Sequence, residues 1–120
     1  MLTPPPPPTP DEWTVKMSDE VEKWYLGLTP SGHSEADEAI AALAALGNEA
    51  RMPLSRALGD KLFELRFACE NVARRITYTF DPGKKIITLT TFRHQKRTEQ
   101  KEIGRARRLL SGRITPKKNG

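Results

Sequence analysis

The sequence predicts an α+β fold in the order β-α-α-β-β-β-α, a small antiparallel sheet with helices packed on one face. Three observations carry this. Apolar residues recur at helical spacing between Ser18 and Asn48, alternate with polar residues between Lys61 and Phe92, and return to helical spacing after Thr98. A period that moves from 3.6 to 2 and back marks helices, then strands, then a helix. With 120 residues the chain has room for one domain and a modest core.

The elements follow in order. Residues 1–11, which include MLTPPPPPTP, form a Pro-rich arm that is expected to be disordered, because proline has no amide hydrogen for a helix or a ladder. The folded domain is expected over residues 12–113. In EWTVKM, Trp13 and Val15 alternate with polar neighbours and predict a short strand. Ser18 caps a first helix with Asp19 and Glu20 in its opening turn, and Val21, Trp24, Tyr25 and Leu28 form its apolar stripe. TPSG breaks that helix and leaves His33 in the turn. A second helix starts behind Ser34 and buries Ala36, Ala39, Ile40, Leu43, Ala44 and Leu46 before Gly47 or Asn48 ends it. Three strands come next. Phe63, Leu65 and Phe67 oppose Leu62, Glu64 and Arg66. Ile76, Tyr78 and Phe80 oppose Arg75, Thr77 and Thr79. After a DPGK turn, Ile87 and Leu89 point inward, with Thr88, Thr90 and Phe92 on the other parity. The last helix runs from about Thr98 to Ser111, and residues 114–120 form a basic, mobile tail.

Charge divides the chain. Residues 1–60 hold 4 basic and 10 acidic residues, whereas residues 61–120 hold 16 and 5. A second half at +11 suits a polyanion such as nucleic acid, with a plain solvated basic face as the alternative. Cys69 is the only cysteine, so no internal disulfide forms and a cytoplasmic location is expected. No apolar run approaches the roughly 20 residues that span a bilayer, so no membrane partner is expected. Two isolated histidines and one cysteine make no metal-ligand pattern, and neither a metal nor a cofactor is expected.

Strand parity places Arg66 and Arg75 on the face away from the helices. Phe92 shares that parity, and Arg93, His94 and Lys96 follow the strand end. Such a surface fits RNA. Arginine and lysine neutralise phosphates, and an aromatic ring offers a platform for an unpaired base. RNA cleavage without a metal needs a base for the 2′-hydroxyl proton, an acid for the leaving 5′-oxygen and a cation for the charged phosphorane. The candidate catalytic set is Arg66, Arg75, His94 and Lys96. The candidate RNA-binding set is Arg74, Phe92, Arg93, Arg97, Lys101, Arg105 and Arg108, of which Lys101, Arg105 and Arg108 share one stripe of the last helix. The plainer alternatives are an Arg66 paired with Glu64, Glu70 or a helix acid, an Arg75 paired likewise, a Phe92 in the core and an ordinary exposed His94.

LGDKLFELRF followed by RRITYTFDPGKKIITLTTFRHQKRTEQKEIGRARRLL resembles the HigB branch, phage-derived and actinobacterial, of the RelE/ParE toxin superfamily. The matching pieces are Leu58 to Arg66, Arg75 to Tyr78, Phe92 to Lys96 and Glu102 to Ala106. His94 stands where many relatives carry lysine, and Glu99 where many carry proline. The resemblance implies a RelE-like fold and an endoribonuclease toxin of a type II toxin–antitoxin system that cuts mRNA, commonly on the translating ribosome. It also implies a helix-turn-helix antitoxin of the HigA kind as partner. A non-enzymatic RNA-binding regulator and a gyrase-inhibiting toxin are the alternatives, since a fold does not fix a function.

Overall fold

The computed structural model describes residues 12–114. The Pro-rich arm at 1–11 lies outside the described residues, as do residues 115–120 of the expected tail, whereas Ile114, expected in that tail, is the last residue of α3. The elements are β1 (Thr14–Lys16), α1 (Asp19–Leu26), α2 (Pro30–Leu46), a 3₁₀ turn (Gly47–Glu49), β2 (Ser55–Gly59), β3 (Leu62–Cys69), β4 (Val72–Asp81), β5 (Lys85–Arg93) and α3 (Glu99–Ile114). They form an α+β fold on one five-stranded sheet of order β1-β5-β4-β3-β2.

Local chemistry explains the helix ends. The Ser18 hydroxyl accepts from the Val21 amide and caps α1 as expected. The second cap lies earlier than Ser34. Thr29 accepts from the Gly32 amide at 3.1 Å, and Pro30 takes the first helical position. Proline has no amide to lose there and its fixed φ suits the first turn, so Thr-Pro starts this helix instead of breaking the chain. His33 therefore lies in the first turn of α2, where its Nε2 is 2.7 Å from the Tyr25 carbonyl. Gly47 ends α2 at φ +54. A side chain there would collide with the Trp13 ring, which only glycine avoids.

The sheet departs from the simple meander in three ways. LSRALG adds a strand, β2, antiparallel to β3, and β1 pairs with β5 in parallel, so the sheet is mixed. Between Ile76 and Tyr78 of β4 the register of β5 shifts, so Thr77 faces both Leu89 and Thr90. This bulge reverses parity along β5. Ile86 and not Ile87 reaches the main core, while Phe92 still ends on the face of its cross-strand partner Arg75.

The third departure concerns the helices. Val21 of α1 and Ala39 and Leu43 of α2 pack on Leu65, Ile76, Tyr78 and Ile86. A second cluster joins Leu62 and Leu89 to Ile103, Ala106 and Leu110 of α3. Leu62 and Phe63 are consecutive strand residues in different clusters, so α3 lies on the opposite face from α1 and α2. The second sheet face is therefore not left polar along its whole length.

Most arginines of α3 are structural. Where β1 stops short, α1 closes the edge of β5: the Ser18 hydroxyl donates to the Leu89 carbonyl, and Glu20 accepts from the Thr91 amide. Glu20 also takes a bidentate pair from Arg105 at 2.5 and 2.9 Å, which links α1 to α3 around that edge. Arg107 donates to the carbonyls of Leu58 and Gly59 at the β2–β3 turn, and Arg113 pairs with Asp81. Among the described residues, no helix is long and apolar enough to cross a membrane.

Candidate functional site

Past Leu62 along β3 and Thr77 along β4 the second sheet face turns from apolar to polar and charged side chains, most of them buried. Register places Arg66 of β3 directly opposite Arg75 of β4, and Arg75 opposite Phe92 of β5. The next row holds Arg56 of β2, Glu64 of β3 and Thr77 of β4. Residues paired in this way share a face, and like charges directly opposite one another are unfavourable. Glu64 offsets that cost. Its carboxylate is 1% exposed and lies 3.7 Å from Arg56 Nη1 and 4.0 Å from Arg75 Nε. Neither of its oxygens has a hydrogen-bond partner.

Arg75 is buried, with its Nη1 donating to the Arg74 carbonyl at 3.1 Å. Burial lowers its pKa from the ordinary arginine value, and the charge of Arg66 adds to this, while Glu64 and Glu99 oppose the shift. The group stays cationic, since arginine does not deprotonate in proteins. Arg66 is half-buried, and its Nη1 reaches the Met52 sulfur at 2.9 Å.

His94 follows β5 at once, its amide held by the Ala73 carbonyl at 2.8 Å. The ring is partly exposed, yet Nδ1 is enclosed and lies 3.8 Å from Oε1 of Glu99, the first residue of α3. Lys96 and Arg97 are exposed in the connection from β5 to α3.

The other sequence candidates are dispersed. Arg74 takes the parity opposite to Arg75, and its guanidinium lies over the Trp24 ring, 5.1 Å from the centroid. Burial lowers its pKa. Arg93 is exposed and pairs in register with Arg74, on that same far face. Phe92 is 5% exposed, so it supports Arg75 from within the core and offers little ring surface to a base. Arg105 is committed to Glu20 and Glu102, whose bonds and charges hold its guanidinium well above the ordinary arginine range. Lys101 and Arg108 are exposed on α3.

Three site residues escaped sequence reasoning. Glu64 was legible as an ion-pair partner, since it alternates with Arg66, but not as the carboxylate shared by two arginines. Arg56 lies on the strand that was not predicted. Glu99 carried only the general signal of an acid at a helix N-terminus.

Two facing guanidiniums, one buried and one half-buried, thus stand on the face from which a strand-end imidazole and two exposed loop cations continue. Residues 23–111 match the family described as phage-derived protein Gp49-like (DUF891). The chain belongs to the Gp49-like family. This is a phage-derived family of the RelE toxin type. The Gp49-like match runs from α1 through α3 and contains the whole basic face, while β1 precedes it. A comparison with curated proteins finds no match. Among the described residues, no group of three or more histidine, cysteine or acidic side chains stands close enough to hold a metal ion.

Proposed function

We propose that this Gp49-like protein is the toxin of a type II toxin–antitoxin pair, of the HigB kind. In this reading it is a cytoplasmic endoribonuclease that cuts mRNA on the translating ribosome by metal-independent acid–base catalysis. The observation that carries the reading is the row Arg66–Arg75–Phe92, with the partly exposed His94 two residues beyond Phe92. The row sets two cations side by side, where a bridging phosphate suits them better than either suits the other.

The chemistry follows from the groups. Arg66 and Arg75 hold the scissile phosphate. The RNA 2′-oxygen forms a bond to phosphorus and the bond from phosphorus to the 5′-oxygen breaks. This leaves a 2′,3′-cyclic phosphate and a free 5′-hydroxyl. One group takes the 2′-hydroxyl proton and another returns a proton to the 5′-oxygen. His94 fills one of these roles, because imidazole exchanges protons near neutrality. Lys96 is the second candidate, and with Arg97 it also neutralises flanking phosphates. The partner is a helix-turn-helix antitoxin of the HigA kind, which covers part of the basic face or the α1–α2 hairpin.

Induction of the chain in bacteria, with transcript 5′ ends mapped, tests this. The wild type should arrest growth and create new codon-phased 5′ ends, and Arg66→Ala and His94→Ala should do neither. Arrest without new ends would instead indicate an RNA-binding regulator. Intact mRNA with DNA-damage signalling would indicate gyrase inhibition.

A further inference from the structure

The acid at the start of α3 links the two halves of the proposed site. Glu99 Oε1 lies 3.8 Å from His94 Nδ1 and 3.9 Å from Arg56 Nη1. Arg56 Nη1 is 3.7 Å from Glu64 Oε2, and the other Glu64 oxygen is 4.0 Å from Arg75 Nε. The result is a chain that starts at the His94 imidazole and alternates in sign over Glu99–Arg56–Glu64–Arg75, crossing from α3 over β2 and β3 to β4. Each gap is within coulombic reach and longer than a hydrogen bond. Contacts between catalytic groups commonly tighten in the complex with substrate.

We propose that Glu99 is a positioning residue, which holds the His94 imidazole by Nδ1 and, through Arg56 and Glu64, fixes it relative to the Arg75 guanidinium. The inference rests on the reading of His94 as a proton carrier. Three observations support it. Nδ1 is enclosed and has no hydrogen-bond partner, so a polar group beside it decides how the ring is held. A carboxylate facing Nδ1–H selects the tautomer that leaves Nε2 to exchange protons. Glu99 is also carried by a rigid element, since α3 is seated by Ile103, Ala106 and Leu110 and tied down by Arg105 and Arg107. The side chain is 23% exposed, so replacing it with an isosteric amide leaves the core intact.

The test is a double-mutant cycle on full-length chains, with mRNA on programmed ribosomes as substrate. Glu99→Gln should lower kcat roughly 10- to 100-fold, less than the roughly 10²- to 10⁴-fold of a lost acid–base group, and change KM less than about twofold. Glu99→Asp should recover most of the rate. In a His94→Ala background, Glu99→Gln should cost less than about twofold more, because its effect passes through the ring. An equal loss in both backgrounds, or an effect on KM alone, overturns the positioning role. Loss of activity in His94→Ala with a normal rate in Glu99→Gln overturns Glu99 and leaves the nuclease reading standing. Full activity of His94→Ala overturns that reading and this inference together.

Discussion

Arg105, Arg107 and Arg113 on α3 and Arg56, Arg66 and Arg75 on the sheet belong to the same side of the molecule, yet their surroundings are opposite. Each of these three α3 arginines ends on a matched acceptor: the Glu20 carboxylate, the Leu58 and Gly59 carbonyls, or Asp81. The sheet arginines crowd one another instead. Arg66 faces Arg75, and Arg75 and Arg56 share the buried carboxylate of Glu64. A run of cations in sequence therefore says little about where a polyanion binds. What matters is whether an acceptor already ends the side chain. Those three spend their charge on closing the sheet edges, whereas the end with Arg56, Arg66 and Arg75 holds more cation than Glu64 and Glu99 balance. Local rules are broken in that way mostly at functional sites.

The largest expected effect breaks the comparison at its functional end. His94→Ala should lower the rate of mRNA cleavage by about 10²- to 10⁴-fold, the usual range for a lost acid–base group. Its urea unfolding curve should match the wild type within about 0.5 kcal/mol, as for a partly exposed side chain outside the core. A variant that loses stability together with rate would make His94 structural and would erase the distinction between the two groups.

The next effect concerns the carboxylate under the arginines. Glu64→Ala leaves Arg75 buried without its counter-charge, and breaking such a pair costs about 3–5 kcal/mol. Urea denaturation reads that loss. A cost below about 1 kcal/mol would mean that water already screens the cluster and that Glu64 does not hold it together.

Much of the fold was legible because its signals are local. The Ser18 cap, the alternation in β3 and β4 and the DPGK turn each depend on a few neighbouring residues. The parts that were missed depend on distant ones. LSRALG has weak alternation and becomes β2 only because β3 offers it a partner edge. The bulge in β5 leaves no mark in TLTTF. Phe92 reaches the face expected of it because the bulge reverses a parity first assigned with Ile87 and Leu89 inward. In the site, Arg66 and Arg75 were placed together by strand parity. The burial of Phe92, the capture of Arg74 by Trp24 and the pairing of Arg105 with Glu20 arise from contacts between elements far apart in the chain. Glu20 and Arg105 are separated by 85 positions.

A smaller effect sharpens the structural end. Arg105→Ala should cost about 1 kcal/mol, since both partners are more than a third exposed and solvent screens the pair. The cost should depend on pH in a defined direction. Burial raises the pKa of Glu20, but the hydrogen bonds from Arg105 and the Thr91 amide, together with the Arg105 charge, outweigh it and hold the group below the ordinary glutamate value. A carboxylate whose folded pKa is depressed contributes stability above its unfolded pKa and loses it as pH falls through the folded value. The difference between wild type and Arg105→Ala should therefore be constant near neutrality and shrink in acid below the ordinary glutamate range. Paired denaturation series at several pH values check this, and a gap that widens in acid would contradict the assignment.

The smallest effect separates the two groups by salt alone. RNA binding that neutralises phosphates weakens as salt rises, and the logarithmic slope falls by about 0.7 for each lost contact to a single strand. Lys96→Ala and Arg97→Ala remove exposed cations beside His94, so each should flatten the slope by about that amount. Arg105→Ala and Arg107→Ala should leave it unchanged, because those guanidiniums already end on Glu20 and on the β2–β3 turn. Affinities of cleavage-inactive His94→Ala chains for an RNA oligonucleotide, titrated across salt, give the comparison without turnover. Equal flattening by all four substitutions would mean that the α3 arginines exchange their protein acceptors for phosphate, and that the division between structural and RNA-facing cations does not hold in the complex.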